Sequence, residues 1–147
     1  MLIYLARPID AAREDPKAAY QHMAEDLLGE LTEQVPVAVY LPAPAFMING
    51  RIDRNTCSRL VAINEHALEM CDILVAEHIS GVSSYGVPQE IMQASMKGKF
   101  VLVLSKLTGY DDLPINLRAY VARGWVFREM DELLPVLVKI LTGETRP

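Results

Sequence analysis

Histidine and cysteine are scarce in this chain, and they are badly placed for metal chemistry. The three histidines (His22, His66, His78) are scattered, and Cys57 and Cys71 make no CxxC motif. No HxxxH occurs either, so no transition-metal site is expected. Two cysteines suit a reducing compartment better than a disulfide scaffold. Neither GxGxxG nor a Walker pattern appears, which leaves dinucleotide and NTP binding without motif support. Basic runs are missing too. The net charge is −5 and no Lys/Arg stripe forms, so a nucleic-acid polymer is a poor partner. No apolar stretch approaches the roughly 18 residues that span a bilayer. The opening MLIYLARPID has too short an apolar run, and no basic start, for a signal peptide. The expectation is a cytoplasmic protein with no membrane partner.

What is present is core. The 147 residues are 51% hydrophobic and 22% charged. A single domain of this size buries roughly 70% of the surface its unfolded chain exposes, enough to fold without staples. No linker or repeat divides it, and residues 1–147 read as one domain. LIYLA reads as the first strand. From Pro16 to about Glu33, Ala19, Met23, Leu27, Leu28 and Leu31 recur at helical spacing. Val35–Pro42 reads as the second strand. After an irregular Pro- and Asn-containing loop, Asp53 or Asn55 caps a helix running to Met70, with Leu60, Ile63, Ala67 and Met70 on its apolar face. Asp72–Ile79 is the third strand, and GVSSYGVP opens a helix that Gly98 stops. KFVLVLS is the fourth strand, a short helix follows, GWVFR is the fifth strand, and Met130–Leu141 closes the chain as a helix. Strands three and four are continuous apolar runs, as expected of a parallel sheet covered on both faces. The predicted fold is α/β: a doubly wound, flavodoxin- or Rossmann-like five-stranded parallel sheet of order 2-1-3-4-5, with helices on both faces.

In such folds ligands bind at the carboxyl ends of the strands. Those ends carry Arg7, Asp10 and Arg13 after strand one, Ser83, Ser84, Gly86 and Glu90 after strand three, and Asp111, Asp112 and Asn116 after strand four. The segment that matters most is the Ser/Gly loop after strand three, because it feeds a helix N-terminus and presents N–H groups to an anion. Pro88 suits the first helical turn. Glu90 nearby serves either the helix dipole or catalysis, and spacing alone leaves both open. Tyr4, between Ile3 and Leu5, reads as core before it reads as catalytic. His78 reads as a satisfied polar residue at a strand end. Cys57 and Cys71 read as packing residues, and Met23, Met47, Met70, Met92 and Met96 as core or pocket filler.

Several segments together resemble the nucleoside 2-deoxyribosyltransferase superfamily, in particular its branch of nucleoside 5′-monophosphate N-glycosidases. They are IYLARPIDAAREDP, NEHALEMCDILVAE, SYGVPQEIMQASMKGKFVLVL and LPINL, which run over most of the chain in the family's order and spacing. The resemblance implies an enzyme that needs no cofactor and acts on a small nucleotide or nucleoside. It would hydrolyse the N-glycosidic bond of a (deoxy)nucleoside 5′-monophosphate, releasing base and sugar phosphate. Base exchange by a deoxyribosyltransferase is the alternative, and a nucleotide-binding protein with impaired catalysis a further one.

By the same resemblance Glu90 falls on the nucleophile, which attacks the anomeric carbon and is freed by water, and Tyr4 on the tyrosine beside it. Ser84 falls where transferases carry Asp and phosphate-recognising hydrolases carry Ser. A neutral hydroxyl there suits a 5′-phosphate, since like charges repel. Arg7, Pro8, Ile9, Arg13 and Gly86 join Ser84 in substrate binding, with Arg13 a charge-assisted phosphate contact. Asn116 matches an asparagine supplied by a neighbouring subunit, which implies a homodimer or larger assembly. Two departures stand out. Position 64, where the family places a base-handling Asp, is Asn64, and the first loop has Arg7, Ala11 and Ala12 in place of glycines. Phe46, Met47, Ile48 and Tyr40, as apolar lining, accept purine or pyrimidine alike.

Overall fold

The computed structural model describes residues 1–8, 16–31, 35–42, 54–79, 86–105 and 109–145, with the side chains of 16–21, 30 and 54–57 outside that description. Five parallel strands form one sheet: β1 (Leu2–Ala6), β2 (Ala38–Tyr40), β3 (Ile73–Glu77), β4 (Phe100–Leu104) and β5 (Val126–Phe127). Their order is β2-β1-β3-β4-β5, the order expected. The helices are α1 (Pro16–Leu31), α2 (Arg54–Met70), α3 (Gly86–Met96), α4 (Ile115–Arg118) and α5 (Met130–Leu141). The short β2 and β5 lie at the sheet edges, where less apolar surface needs covering. The fully buried β3 occupies the centre.

Side-chain alternation divides the sheet into two cores. Ile3, Leu5, Ile73, Val75, Leu102 and Leu104 pack with Met23, Leu27 and Leu31 of α1 and Leu133, Leu137 and Ile140 of α5. On the opposite face Tyr4, Ala6, Leu74, Ala76, Val101 and Val103 pack with Leu68 of α2, Val87 and Ile91 of α3 and Leu117 of α4. α3 ends as expected at Gly98, whose φ of +69° only glycine adopts without strain. The N–H of Lys99 then closes back onto the Ala94 carbonyl at 3.0 Å.

α2 departs from the expected packing. Ile63 and Met70 are 54% and 63% exposed, not core. The helix is rotated so that Leu60, Asn64, Ala67 and Leu68 line the inward side, only Leu68 being fully buried among its described side chains. The inward stripe therefore contains Asn64, and apolar residues are displaced to solvent. Met96 is likewise 74% exposed instead of core filler, whereas Met23 and Cys71 are buried as expected. Cys57, Met47, Phe46 and Ile48 lie outside the described side chains. No helix among the described residues is long and apolar enough to cross a membrane.

Candidate active site

The site is assembled where the carboxyl ends of β1 and β3 meet the start of α3. Glu90 is the fifth residue of α3, just past the first turn in which it was expected. That position weakens the helix-dipole explanation, because the dipole's effect falls off beyond the first turn. The Tyr4 hydroxyl donates to Glu90 Oε1 at 2.6 Å across 86 residues of sequence. So short an O–H···O contact is of the charge-assisted kind. Tyr4 is fully buried, so the tyrosine read as core is core, and its hydroxyl reaches Glu90 all the same. Burial pushes the Glu90 carboxyl up to about 7, and the bond from Tyr4 pulls the other way. With the Tyr4 hydroxyl as its donor among the described residues, burial holds the carboxyl close to the balance between its charged and protonated forms near neutral pH.

The parallel register places Tyr4 and Tyr40 side by side, as Cα partners of β1 and β2. Their rings stack with centroids 5.3 Å apart and planes at 28°. The Tyr40 hydroxyl donates to Asn64 Oδ1 at 2.9 Å. Burial, and secondarily the charge of Glu90, holds the Tyr40 phenol above its ordinary value, which puts the two groups within electrostatic reach. Glu90, Tyr4, Tyr40 and Asn64 thus form one continuous run of contacts from α3 across two strands to α2.

Arg7 Nε lies 2.8 Å from Glu77 Oε2, an ion pair at the ends of β1 and β3 with the glutamate buried. Pro8 is buried beside it, and Gly86 starts α3 with open space where a Cβ would sit. His78, half-buried at the end of β3, is held below its ordinary value by burial, which favours the neutral imidazole. Asn116 is exposed on α4, beside Ile115 at 79% exposure. Ile9, Arg13 and Ser84 lie outside the described residues. The fold therefore brings Tyr4, Glu90 and Asn64 together, pairs Arg7 with a buried carboxylate, and leaves Asn116 at the surface. Among the described residues no group of three or more His, Cys, Asp or Glu side chains could hold a metal ion.

Two participants were missed in the sequence. Tyr40 was read only as apolar lining, because its hydroxyl partner lies 24 residues away on another element. Glu77 had a visible signal: a carboxylate ending the otherwise apolar ILVAE strand cannot stay buried without a cation.

No family model and no curated protein matches the sequence. Solved structures do share its fold. The 2-deoxyribosyltransferase of the psychrotolerant bacterium Bacillus psychrosaccharolyticus is 15% identical, with a TM-score of 0.70 over 91% of this chain and 90% of that one. The 2-deoxyribosyltransferase of Leishmania mexicana is 18% identical, with a TM-score of 0.62 over 94% and 97%. The CMP N-glycosidase BcmB of Clostridium botulinum is 22% identical, with a TM-score of 0.57 over 96% and 100%. The class of fold is therefore that of the nucleoside deoxyribosyltransferases and of an N-glycosidase, both enzymes. It is the fold the sequence resemblance implies.

Proposed function

We propose that the chain is an enzyme of the nucleoside 2-deoxyribosyltransferase superfamily that hydrolyses the N-glycosidic bond of a (deoxy)nucleoside 5′-monophosphate. The observation that carries this reading is the half-buried Glu90 carboxyl, which accepts from the hydroxyl of the buried Tyr4 at 2.6 Å. A Glu90 oxygen bonds to C1′ while the C1′–N bond breaks and its electron pair leaves with the base. The oxocarbenium-like transition state is stabilised by the adjacent anion, and the resulting ester is hydrolysed by water. Tyr4 orients the attacking oxygen and tempers its basicity. By resemblance, Ser84 and Arg13 hold the 5′-phosphate, with Arg7, Pro8, Ile9 and Gly86 shaping the substrate loop. The exposed Asn116 completes the site of a second copy of the chain in a homodimer or larger assembly.

The test is base release from deoxyribo- and ribonucleoside monophosphates, followed by chromatography. Wild type is expected to release base, and Glu90→Ala to lose on the order of 10³-fold or more in kcat/KM. Undiminished release by Glu90→Ala would remove the nucleophile. A second reading, base exchange, is favoured by the TM-score of 0.70 to a deoxyribosyltransferase. Supplying a second free base and looking for the exchanged product separates the two activities.

A further inference from the structure

A cleft of about 440 Å³ opens at the end of the sheet opposite Glu90, and the proposed reaction makes no use of it. Because β3 and β4 are parallel, α3 between them runs back along the sheet, with its start at the strands' carboxyl ends and its last turn at their amino ends. Ser95, Gly98 and Lys99 line the cleft from that last turn, and residues 119–125, between α4 and β5, line it from the other side. The volume falls within the range of sites for small organic molecules. The buried Val101 and Val121 give it an apolar floor, and the exposed Ala119 and Ala122 are too small to close its mouth.

Three polar groups border that floor: the hydroxyls of Ser95 and Tyr120 and the indole N–H of Trp125. Among the described residues no side-chain hydrogen bond engages any of them, and none of their polar atoms is sealed from water. The hydroxyls can donate or accept, whereas the indole only donates. Trp125 enters the cleft already braced, since its ring stacks on Phe100 with centroids 5.3 Å apart and planes at 19°. The nearby charges are engaged with one another. The Lys99 ammonium donates to the Glu69 carbonyl at 2.9 Å, and Lys97 holds the Glu69 carboxylate at 3.0 Å. The last turn of α3 turns the negative end of the helix dipole toward this region, which disfavours an anion. No Asp or Glu lines the cleft to hold a cation.

We infer that this cleft is a binding site for a neutral, planar heteroaromatic molecule of one or two rings that carries both hydrogen-bond donors and acceptors, the chemistry of a free nucleobase. Its ring stacks against the aromatic side chains, its polar edge meets the Ser95 and Tyr120 hydroxyls, and the two valines keep water from beneath it. The site is separate from Glu90, and the inference is independent of the function proposed above.

Trp125 is the single tryptophan of the chain, so one indole N–H resonance reports from inside the cleft. The experiment titrates the full chain with uracil and with adenine, and in parallel with benzoate and with benzyltrimethylammonium as charged aromatic controls. The neutral bases are expected to shift the resonance saturably, with Kd on the order of 1 mM or below, and the two charged rings to bind about ten-fold more weakly or worse. Ala122→Phe fills the mouth from an exposed position, so it should abolish the shift and leave the thermal midpoint unchanged. Ser95→Ala removes one hydrogen bond and should weaken binding by roughly three- to ten-fold. Glu90→Ala should titrate as wild type does. The proposal is overturned if neither base gives a saturable shift, if benzoate or the ammonium binds as tightly as the bases, or if the loss of Glu90 abolishes the response. Should Ala122→Phe fail to fold, Ser95→Ala decides: unchanged affinity there also overturns it. A resonance that moves with protein concentration but not with base would show a second copy covering the cleft, and would overturn it too.

Discussion

The two helical layers flanking the sheet are built to different ends. The α1/α5 layer meets large aliphatic side chains, Ile3, Leu5, Ile73, Val75 and Leu102, with a stripe of leucines, and the buried Glu77, which follows Val75 in the alternation, is paired there with Arg7. The α2/α3/α4 layer meets smaller residues, Ala6, Ala76 and Ala94, together with Tyr4 and Cys71. Glu90 and Asn64 approach the sheet from that side. Apart from Met1, every exposed large hydrophobic among the described residues, Val61, Ile63, Met70, Met96 and Ile115, also lies on α2, α3 or α4. One layer is closed chiefly by aliphatic packing, and the other gives up burial and carries the polar contacts that run from Glu90 through Tyr4 and Tyr40 to Asn64.

That division can be broken first on its stable side. Leu27 is fully buried between α1 and the sheet, so Leu27→Ala is expected to destabilise the protein by about 2–5 kcal/mol. Denaturant midpoints measure it, and base release per folded molecule should be unchanged. Loss of activity beyond the loss of folded protein would show that the two layers are not separable.

A second effect of similar sign comes from Glu90 itself. Its carboxyl is raised from 4.5 to about 7 in the folded protein, so folding favours the protonated form. Stability is therefore greatest below about pH 4.5 as far as this group is concerned, and declines as pH rises through 7. The decline amounts to about 3 kcal/mol, from 1.36 kcal/mol per pKa unit. Unfolding curves of wild type minus those of Glu90→Gln across pH 4 to 9 isolate this contribution. A difference that stays flat would mean the carboxylate is well solvated. Activity runs the other way, because the nucleophile proposed at Glu90 must be ionised: base release should rise with pH through about 7.

The smallest expected effect sharpens the contrast within the active layer. Tyr4→Phe removes one charge-assisted hydrogen bond and keeps the ring, a loss of about 2 kcal/mol in transition-state stabilisation, or some 30-fold in kcat/KM. Since Tyr4 lowers the Glu90 value, the pH–rate rise should also move to higher pH in this variant. A rate loss with no alkaline shift would assign Tyr4 to packing alone.

Much of the fold was legible in local pattern. The apolar runs of β3 and β4, the 3.6-residue period of α1 and the stop at Gly98 each arise from neighbours in sequence, and the strand order followed from the βαβ alternation. α2 was misread because Ile63 and Met70 are spaced as well for burial as Leu60 and Leu68 are. Helical period identifies a stripe without saying which of two adjacent stripes the sheet will cover. A polar Asn64 at the inward spacing was the available clue. Glu90 and Tyr4 were nameable by resemblance, but the burial that keeps the carboxyl near 7 was not.

Residue order by itself determined which segments are strands and helices, their sequence in the sheet, and the edge at which polar groups gather. These depend on side-chain period and on the handedness of short connections, both local properties. Only the tertiary structure decided that Tyr4 bonds Glu90, that Tyr40 stacks on Tyr4 and grips Asn64, and that Arg7 is spent on Glu77. Hydrogen bonds and ion pairs of this kind depend on ångström-scale distances between elements far apart in sequence, and those distances exist only once the two cores have packed.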